Sequence, residues 1–248
     1  KMKYMGSKAR IAKHILPIIL KNRKEGQWYV EPFVGRANSI TKVDGNRLGA
    51  DSNHFVIDAL VMIRDNISSV PKDNTEFTEH DYGNCRQDHS FSCGLVGYAG
   101  IAFSFGAKWF GGWSRGKNSK GEQRDYVAEQ YRAAVKQSKC LQGCNLLPVP
   151  YQKLKIPEKS IVYCDSPYKG TTGYKDKFDH DKYFEWCRLQ VRIGHQVFIS
   201  EYSAPADFIC VWQKELKVSV AKLGKQKDAI EKLFVHKSQV ESDYESLY

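Results

Sequence analysis

Apolar and polar residues alternate along the chain at spacings that indicate both helices and strands. Apolar positions recurring every three or four residues predict helices at 8–22, 54–67, 122–140 and 182–194. Short apolar runs predict strands at 28–30, 47–50, 160–164, 196–202, 217–221 and 232–237. Strands that alternate with helices in this way are typical of an α/β fold, with a Rossmann-like sheet covered by helices on both faces.

Three of the predicted strands run directly into a carboxylate. These acids are Glu31, Asp51 and Asp165. In a parallel sheet the carboxyl ends of the strands share one edge, and open α/β sheets bind their ligands there. We therefore expect the three acids to gather at one edge of the sheet.

A basic and glycine-rich stretch interrupts the regular pattern. The chain has 248 residues and a formal net charge of +10, which favours a polyanionic partner, with nucleic acid ahead of an anionic membrane surface. Between Lys108 and Lys139 there are eight Lys/Arg residues against three acids, interleaved with Trp109, Phe110 and Trp113. Basic and aromatic side chains together can neutralise phosphates and stack on bases. No amphipathic helix supports a membrane role, and the sequence predicts a soluble cytoplasmic protein.

The seven cysteines are odd in number and scattered, as in reduced cytoplasmic proteins. A four-cysteine zinc site from Cys85, Cys93, Cys140 and Cys144 is conceivable, but neither pair has the CxxC spacing of a zinc knuckle. We therefore expect no metal.

Four short motifs resemble one known family. They are YMGSK at 4–8, EPFVGRAN at 31–38, ADSN at 50–53 and DSPY at 165–168. Their identity and order resemble the Dam-like DNA adenine methyltransferases, and GAKWFGGW at 106–113 and ISEYSAP at 199–205 resemble the phage-type members. The resemblance implies a catalytic domain in two parts, 1–67 and 141–248, with a DNA-recognition region inserted at 68–140. It also implies a bacterial, phage or prophage source; the oligomeric state stays open, with a monomer among the alternatives.

The methyl donor implied by the resemblance is S-adenosylmethionine. The family pattern assigns a set of residues to this cofactor: Tyr4, Met5, Gly6, Lys8, Glu31, Pro32, Phe33, Gly35, Asp51, Asn53 and Asp165. Within that set, Asp51 is expected on the ribose, because a carboxylate can accept hydrogen bonds from both sugar hydroxyls.

The DSPY motif is expected to hold an adenine that has been flipped out of duplex DNA. Asp165 and the backbone carbonyl of Ser166 would accept the amino hydrogens, Pro167 would fix the turn and Tyr168 would stack on the base. The residues expected to contact DNA are Lys108, Trp109, Arg115, Lys117, Lys120 and Tyr174.

Two positions depart from the family pattern, and three other interpretations stay open. Ser166 stands where proline is commonest, and Pro150-Tyr151 replaces an aspartate-aromatic pair that contacts the cofactor's adenine.

The same chemistry could methylate the amino group of cytosine, although that class more often has serine where this chain has Asp165. RNA could replace DNA as the substrate. A DNA-binding protein that has lost catalysis could also keep this fold.

Overall fold

The computed structural model describes residues 9–87, 91–167, 178–218 and 227–240. In chain order, the elements are α1 (Ala9–Ile19), β1 (Tyr29–Glu31), β2 (Arg47–Ala50), α2 (His54–Asp65), α3 (Glu79–Gln87), α4 (Cys93–Ala102), α5 (Tyr126–Leu141), β3 (Cys144–Leu147), β4 (Ile161–Cys164), α6 (His180–Arg192), β5 (Gln196–Glu201), β6 (Phe208–Val218) and β7 (Lys227–His236). No helix among them is long and apolar enough to cross a membrane.

The chain forms two compact units. Among the described residues, one unit comprises those up to Ala12 together with Val34–Tyr151, and the other comprises Lys13–Phe33 and the residues from Gln152 onward. This division differs from the three segments inferred from the motifs, which remain a prediction.

The second unit is built on strands in the order β1-β4-β5-β7-β6. The first three are parallel, and α6 forms the crossover from β4 to β5. Residues of β1 and β4 are almost completely buried, as their continuous apolar runs predict. β7 then runs antiparallel to both β5 and β6, a reversal that the hydrophobic pattern did not indicate.

The first unit contains β2 and β3, which are parallel and pair from Arg47↔Cys144 to Ala50↔Leu147. The guanidinium of Arg47 is buried at the end of α5, where it donates hydrogen bonds to the carbonyl oxygens of Cys140 at 2.7 Å and Gln142 at 2.5 Å. Parallel strands joined through helices in both units confirm the predicted Rossmann-like α/β class.

The predicted helices and most predicted strands are confirmed, with ends shifted by a few residues. The prediction of a strand at 217–221 was wrong in extent, because β6 begins at Phe208 and residues 219–221 lie outside the described ranges. β3, α3 and α4 were not predicted. In α4, seven of the ten residues are buried. Without a polar face, the helix lacks the alternation of apolar and polar residues at helical spacing from which a helix is predicted.

Candidate functional site

Glu31 and Asp165 lie at the same edge of the strands in the second unit. β1 and β4 are parallel with Val30 opposite Val162, so their carboxyl ends point the same way. Glu31 is the last residue of β1, and Asp165 directly follows β4. The expected meeting of these two strand ends is therefore confirmed. Asp51 belongs to the first unit, and its place in the same cluster remains a prediction.

Two buried tyrosines accompany these carboxylates. The hydroxyl of Tyr29 donates a hydrogen bond to Oε1 of Glu31 at 2.8 Å, and the hydroxyl of Tyr163 lies 2.8 Å from Oγ of Ser200. Burial raises the pKa of both tyrosines well above the usual value, and the nearby charges of Glu31 and Asp165 raise it further. Both hydroxyls therefore stay protonated, and Tyr29 orients the carboxylate of Glu31.

The side chain of Ser166 is buried beside Tyr183 of α6. Tyr183 in turn contacts Phe33 edge-to-face, with ring centroids 5.8 Å apart. The serine of the DSPY motif and the phenylalanine of EPFVGRAN therefore share a packed aromatic neighbour in the second unit.

In the first unit, Asp51 holds a glycine turn. Its Oδ2 accepts a hydrogen bond from the amide of Gly35 at 3.2 Å, and its Oδ1 accepts one from the amide of Asn53 at 2.9 Å. Burial raises the pKa of the Asp51 carboxyl, and the two amide donors oppose that rise. A carboxylate has about four acceptor positions, so hydrogen bonds from the described residues occupy two of them.

Gly35 has a left-handed backbone with a φ of +47°, and no atom of the described residues lies within 4 Å of the place where a Cβ would project. The turn is therefore open to the close approach of a ligand. Asn53 has a clear structural role, because its Oδ1 accepts a hydrogen bond from the amide of Phe55 and caps α2.

Six predicted site residues lie outside the described ranges: Tyr4, Met5, Gly6, Lys8, Tyr168 and Tyr174. Their assigned roles stay predictions. Pro32 is buried behind Glu31, and Pro167 follows Ser166 at partial exposure. Tyr151, in the pair that departs from the family pattern, is buried in a short 3-10 turn.

Residues 116–124 form a short hairpin, which we call the basic hairpin. Lys117 and Gln123 pair across it, and Oδ1 of Asn118 accepts hydrogen bonds from the amides of Lys120 at 2.9 Å and Glu122 at 3.1 Å. Lys117 and Lys120 are exposed, and neither forms an ion pair within the described parts of the chain. The hairpin therefore presents two unneutralised ammonium groups to solvent.

The other predicted DNA contacts differ in their availability. Lys108 is exposed, and Trp109 is 43% exposed. The neighbouring Phe110, which is not one of the predicted contacts, is only 8% exposed. Arg115 forms an ion pair with Glu79 of α3, so part of its charge is neutralised. The neighbouring aromatics thus divide, with Trp109 at the surface and Phe110 in the core.

An open cleft of about 580 Å³ lies along α3, and no motif in the sequence indicated it. Tyr82, Arg86 and Glu79 of that helix line it, opposite Trp113 and Arg115. A signal for α3 was present in the sequence. Thr78 and Asp81 form a reciprocal capping box, in which the amide of each residue donates to the side chain of the other.

No protein-family model matches the chain, and no curated protein matches it in sequence. Among solved structures, it is similar to "Crystal structure of SMU.472, a putative methyltransferase complexed with SAH", with 13% identity and a TM-score of 0.39. The match covers 93% of this chain and 52% of the other, so this chain spans about half the length of that protein.

Proposed function

We propose that the chain is an S-adenosylmethionine-dependent DNA adenine-N6 methyltransferase. The observation that carries the proposal is the acidic strand end Asp165-Ser166-Pro167, which follows the buried strand β4 beside the parallel strand that ends in Glu31. Carboxylates at the carboxyl ends of parallel strands occupy the ligand-binding edge of such sheets. The motif order that resembles the Dam-like family supports the same assignment.

The residues of the glycine turn fit a nucleoside cofactor. Gly35 leaves open space where a side chain would otherwise project, and Asp51 keeps acceptor positions that suit ribose hydroxyls. When bound, S-adenosylmethionine supplies an electrophilic methyl group on its sulfonium. Gly35 and Asp51, both in the first unit, are the described residues that would hold its ribose.

The exocyclic nitrogen of adenine is a poor nucleophile because its lone pair is delocalised into the ring. Asp165 would accept one amino hydrogen, and the backbone carbonyl of Ser166 would accept the other. These two hydrogen bonds would orient the nitrogen lone pair for attack, a contribution that is greatest in the transition state. A base held in this way must first leave the duplex.

The exposed cations of the first unit support DNA as the polyanion. Lys108, Lys117 and Lys120 can neutralise phosphates, and Trp109 offers a partly exposed ring for stacking. Such contacts provide affinity without sequence information, so the recognition site is not part of the proposal.

The test is transfer of a labelled methyl group from S-adenosylmethionine to unmethylated duplex DNA, followed by digestion to nucleosides. N6-methyladenine is the expected product, and Asp165→Asn is the matched inactive control. N4-methylcytosine would move the assignment to the other amino-methylating class. Absence of both transfer and cofactor binding, in a folded protein that still binds DNA, would overturn the enzyme assignment in favour of a DNA-binding protein.

A further inference from the structure

Three side chains with different ligand chemistry meet in the first unit. A ring nitrogen of His54, a carboxylate oxygen of Asp58 and Sγ of Cys93 all lie within 4.8 Å of one another. Within the described ranges, no other group of three or more His, Cys, Asp or Glu residues is arranged in this way. We propose that these three residues bind one zinc ion. The proposal is independent of the methyltransferase assignment.

The spacing of the ligand atoms suits tetrahedral zinc. Zinc bonds of about 2.0–2.3 Å place neighbouring ligand atoms about 3.3–3.7 Å apart. Nδ1 of His54 and Oδ2 of Asp58 are separated by 3.1 Å, close to that edge length. Cys93 is exposed, so rotation of its side chain can close the remaining gap without moving the backbone.

The ligand types also favour zinc among the divalent ions. A thiolate and an imidazole are poor ligands for magnesium or calcium but suit zinc, and a carboxylate completes many zinc sites. The charges of one thiolate and one carboxylate balance the two positive charges of the ion. Three protein ligands leave the fourth position for water.

The backbone that carries these ligands is fixed independently of any metal. His54 and Asp58 lie one turn apart on α2, and Cys93 is the first residue of α4. A Cβ added to Gly97 would lie 1.9 Å from the carbonyl oxygen of Phe55, and one added to Gly94 would lie 3.0 Å from that of Asp58. Glycines in α4 therefore allow an unusually close helix contact, which brings Cys93 to the His54–Asp58 pair.

Capping residues fix the first turns of both helices. The side chain of Asn53 accepts from the amide of Phe55, and that of Ser92 accepts from the amide of Leu95. A zinc ion would tie these two turns together. Trp109 packs against Phe55 of α2 with ring centroids 5.7 Å apart. By holding the first turn of α2 in place, the ion would also stabilise the position of this exposed indole.

Cobalt(II) titration of the metal-free chain provides the first test, because a thiolate bound to cobalt gives a charge-transfer absorption band. We expect one equivalent to bind with this band. Cys93→Ser should remove the band, whereas Cys140→Ser and Cys210→Ser, which change the other exposed cysteines, should keep it. Asp58→Asn should weaken cobalt binding by at least about tenfold. No cobalt binding, or a band that survives in Cys93→Ser, would overturn the proposal.

A second test uses the unmodified chain and so does not depend on the folding of any variant. Zinc should slow alkylation of Cys93 by iodoacetamide at least about tenfold while leaving Cys140 unprotected, as measured by mass spectrometry of peptides. Equal alkylation rates at Cys93 with and without zinc would show that His54 and Asp58 form only a surface ion pair.

Discussion

The backbone amide of Gly35 donates a hydrogen bond to Oδ2 of Asp51 at 3.2 Å. The carboxylate that follows β2 therefore holds a turn sixteen residues earlier in the chain. If this turn binds the cofactor, Asp51 has two tasks, which are to fix the turn and to accept hydrogen bonds from the ligand. A substitution there should affect both stability and cofactor binding.

Asp51→Ala should lower S-adenosylmethionine affinity at least about tenfold, because the ribose acceptor and the fixed turn are both lost. It should also lower the free energy of unfolding by about 1–2 kcal/mol, since two amide donors lose their partner. Calorimetric titration and urea unfolding measure the two effects. The exposed Glu25→Ala is the control, and unchanged cofactor affinity in Asp51→Ala would remove Asp51 from the site.

Asp165→Asn should reduce the rate of methyl transfer by at least about a thousandfold while DNA and cofactor affinities change only a few fold. In the proposed reaction the carboxylate would act on the amino group mainly in the transition state, so its loss should lower the catalytic rate more than the binding affinities. Single-turnover kinetics with labelled cofactor check this. Glu158→Gln, at an exposed site, should have no effect, and a loss of DNA binding by Asp165→Asn would contradict the assigned role.

Lys117→Ala and Lys120→Ala should each weaken DNA binding and reduce the slope of log affinity against log salt by about 1. Arg115→Ala should have a smaller effect because Glu79 already pairs with that charge. Fluorescence anisotropy at several salt concentrations measures the slopes, with the exposed Lys24→Ala as control. A changed sequence preference in Lys117→Ala would mean that this side chain reads a base.

Gly97→Ala should destabilise the chain by about 1–3 kcal/mol, since its new methyl group would collide with the carbonyl oxygen of Phe55. Gly83→Ala is the matched control in α3. No atom of the described residues lies within 4 Å of a Cβ there, so that change should be neutral or stabilise by up to about 1 kcal/mol. Urea unfolding compares the two variants, and equal effects would contradict the close packing of α4.

The ion pair between Arg188 and Asp207 should add a pH-dependent contribution to stability. Two hydrogen bonds from the guanidinium, at 2.6 and 2.9 Å, lower the pKa of Asp207 to about 2. Because the folded pKa lies below the unfolded value of about 3.9, the contribution is present above about pH 4 and is lost toward pH 2. The pair is partly exposed, which limits the contribution to about 1 kcal/mol.

Urea unfolding of the wild-type chain and Asp207→Asn between pH 6 and pH 3 tests this contribution. The difference between the two should be greatest at pH 6 and should shrink as the pH falls. The exposed Asp181→Asn should show no such trend. A difference that stays constant over this range would mean that Asp207 acts through packing rather than through its charge.

The sequence predicted the buried parallel strands well because each is a continuous apolar run that ends in an acid. The shared edge of Glu31 and Asp165 followed from the same rule. α4 could not be predicted, since it is buried on most sides and contains three glycines, which are more typical of loops than of helices. The reason for those glycines, close contact with α2, depends on tertiary structure alone.

Contacts between residues far apart in the sequence account for the remaining differences between the prediction and the structure. The hydrogen bond between Gly35 and Asp51 and the ion pair between Arg115 and Glu79 join residues far apart in sequence, and no local pattern encodes them. Arg115 therefore looked like a free cation in the sequence. Lys117 and Lys120 are exposed, as DNA contact would require, and the turn residues around them, Asn118 and Gly121, are a local signal for the hairpin. Their contact with DNA stays a prediction.

The position of Arg47 bears on how this protein could diversify. β2 and β3 are adjacent parallel strands, and Arg47 at the start of β2 binds the carbonyl oxygens at the end of α5, just before β3 begins. Because the strands are parallel, the excursion of residues 51–143 leaves at the carboxyl end of β2 and returns at the amino end of β3, about 10 Å away along these short strands. Because closing a loop costs only about 0.6 kcal/mol more for each doubling of its length, this excursion can be lengthened, shortened or exchanged while strand register is preserved. Segments with new surfaces can therefore replace parts of this excursion during evolution while the sheet stays unchanged.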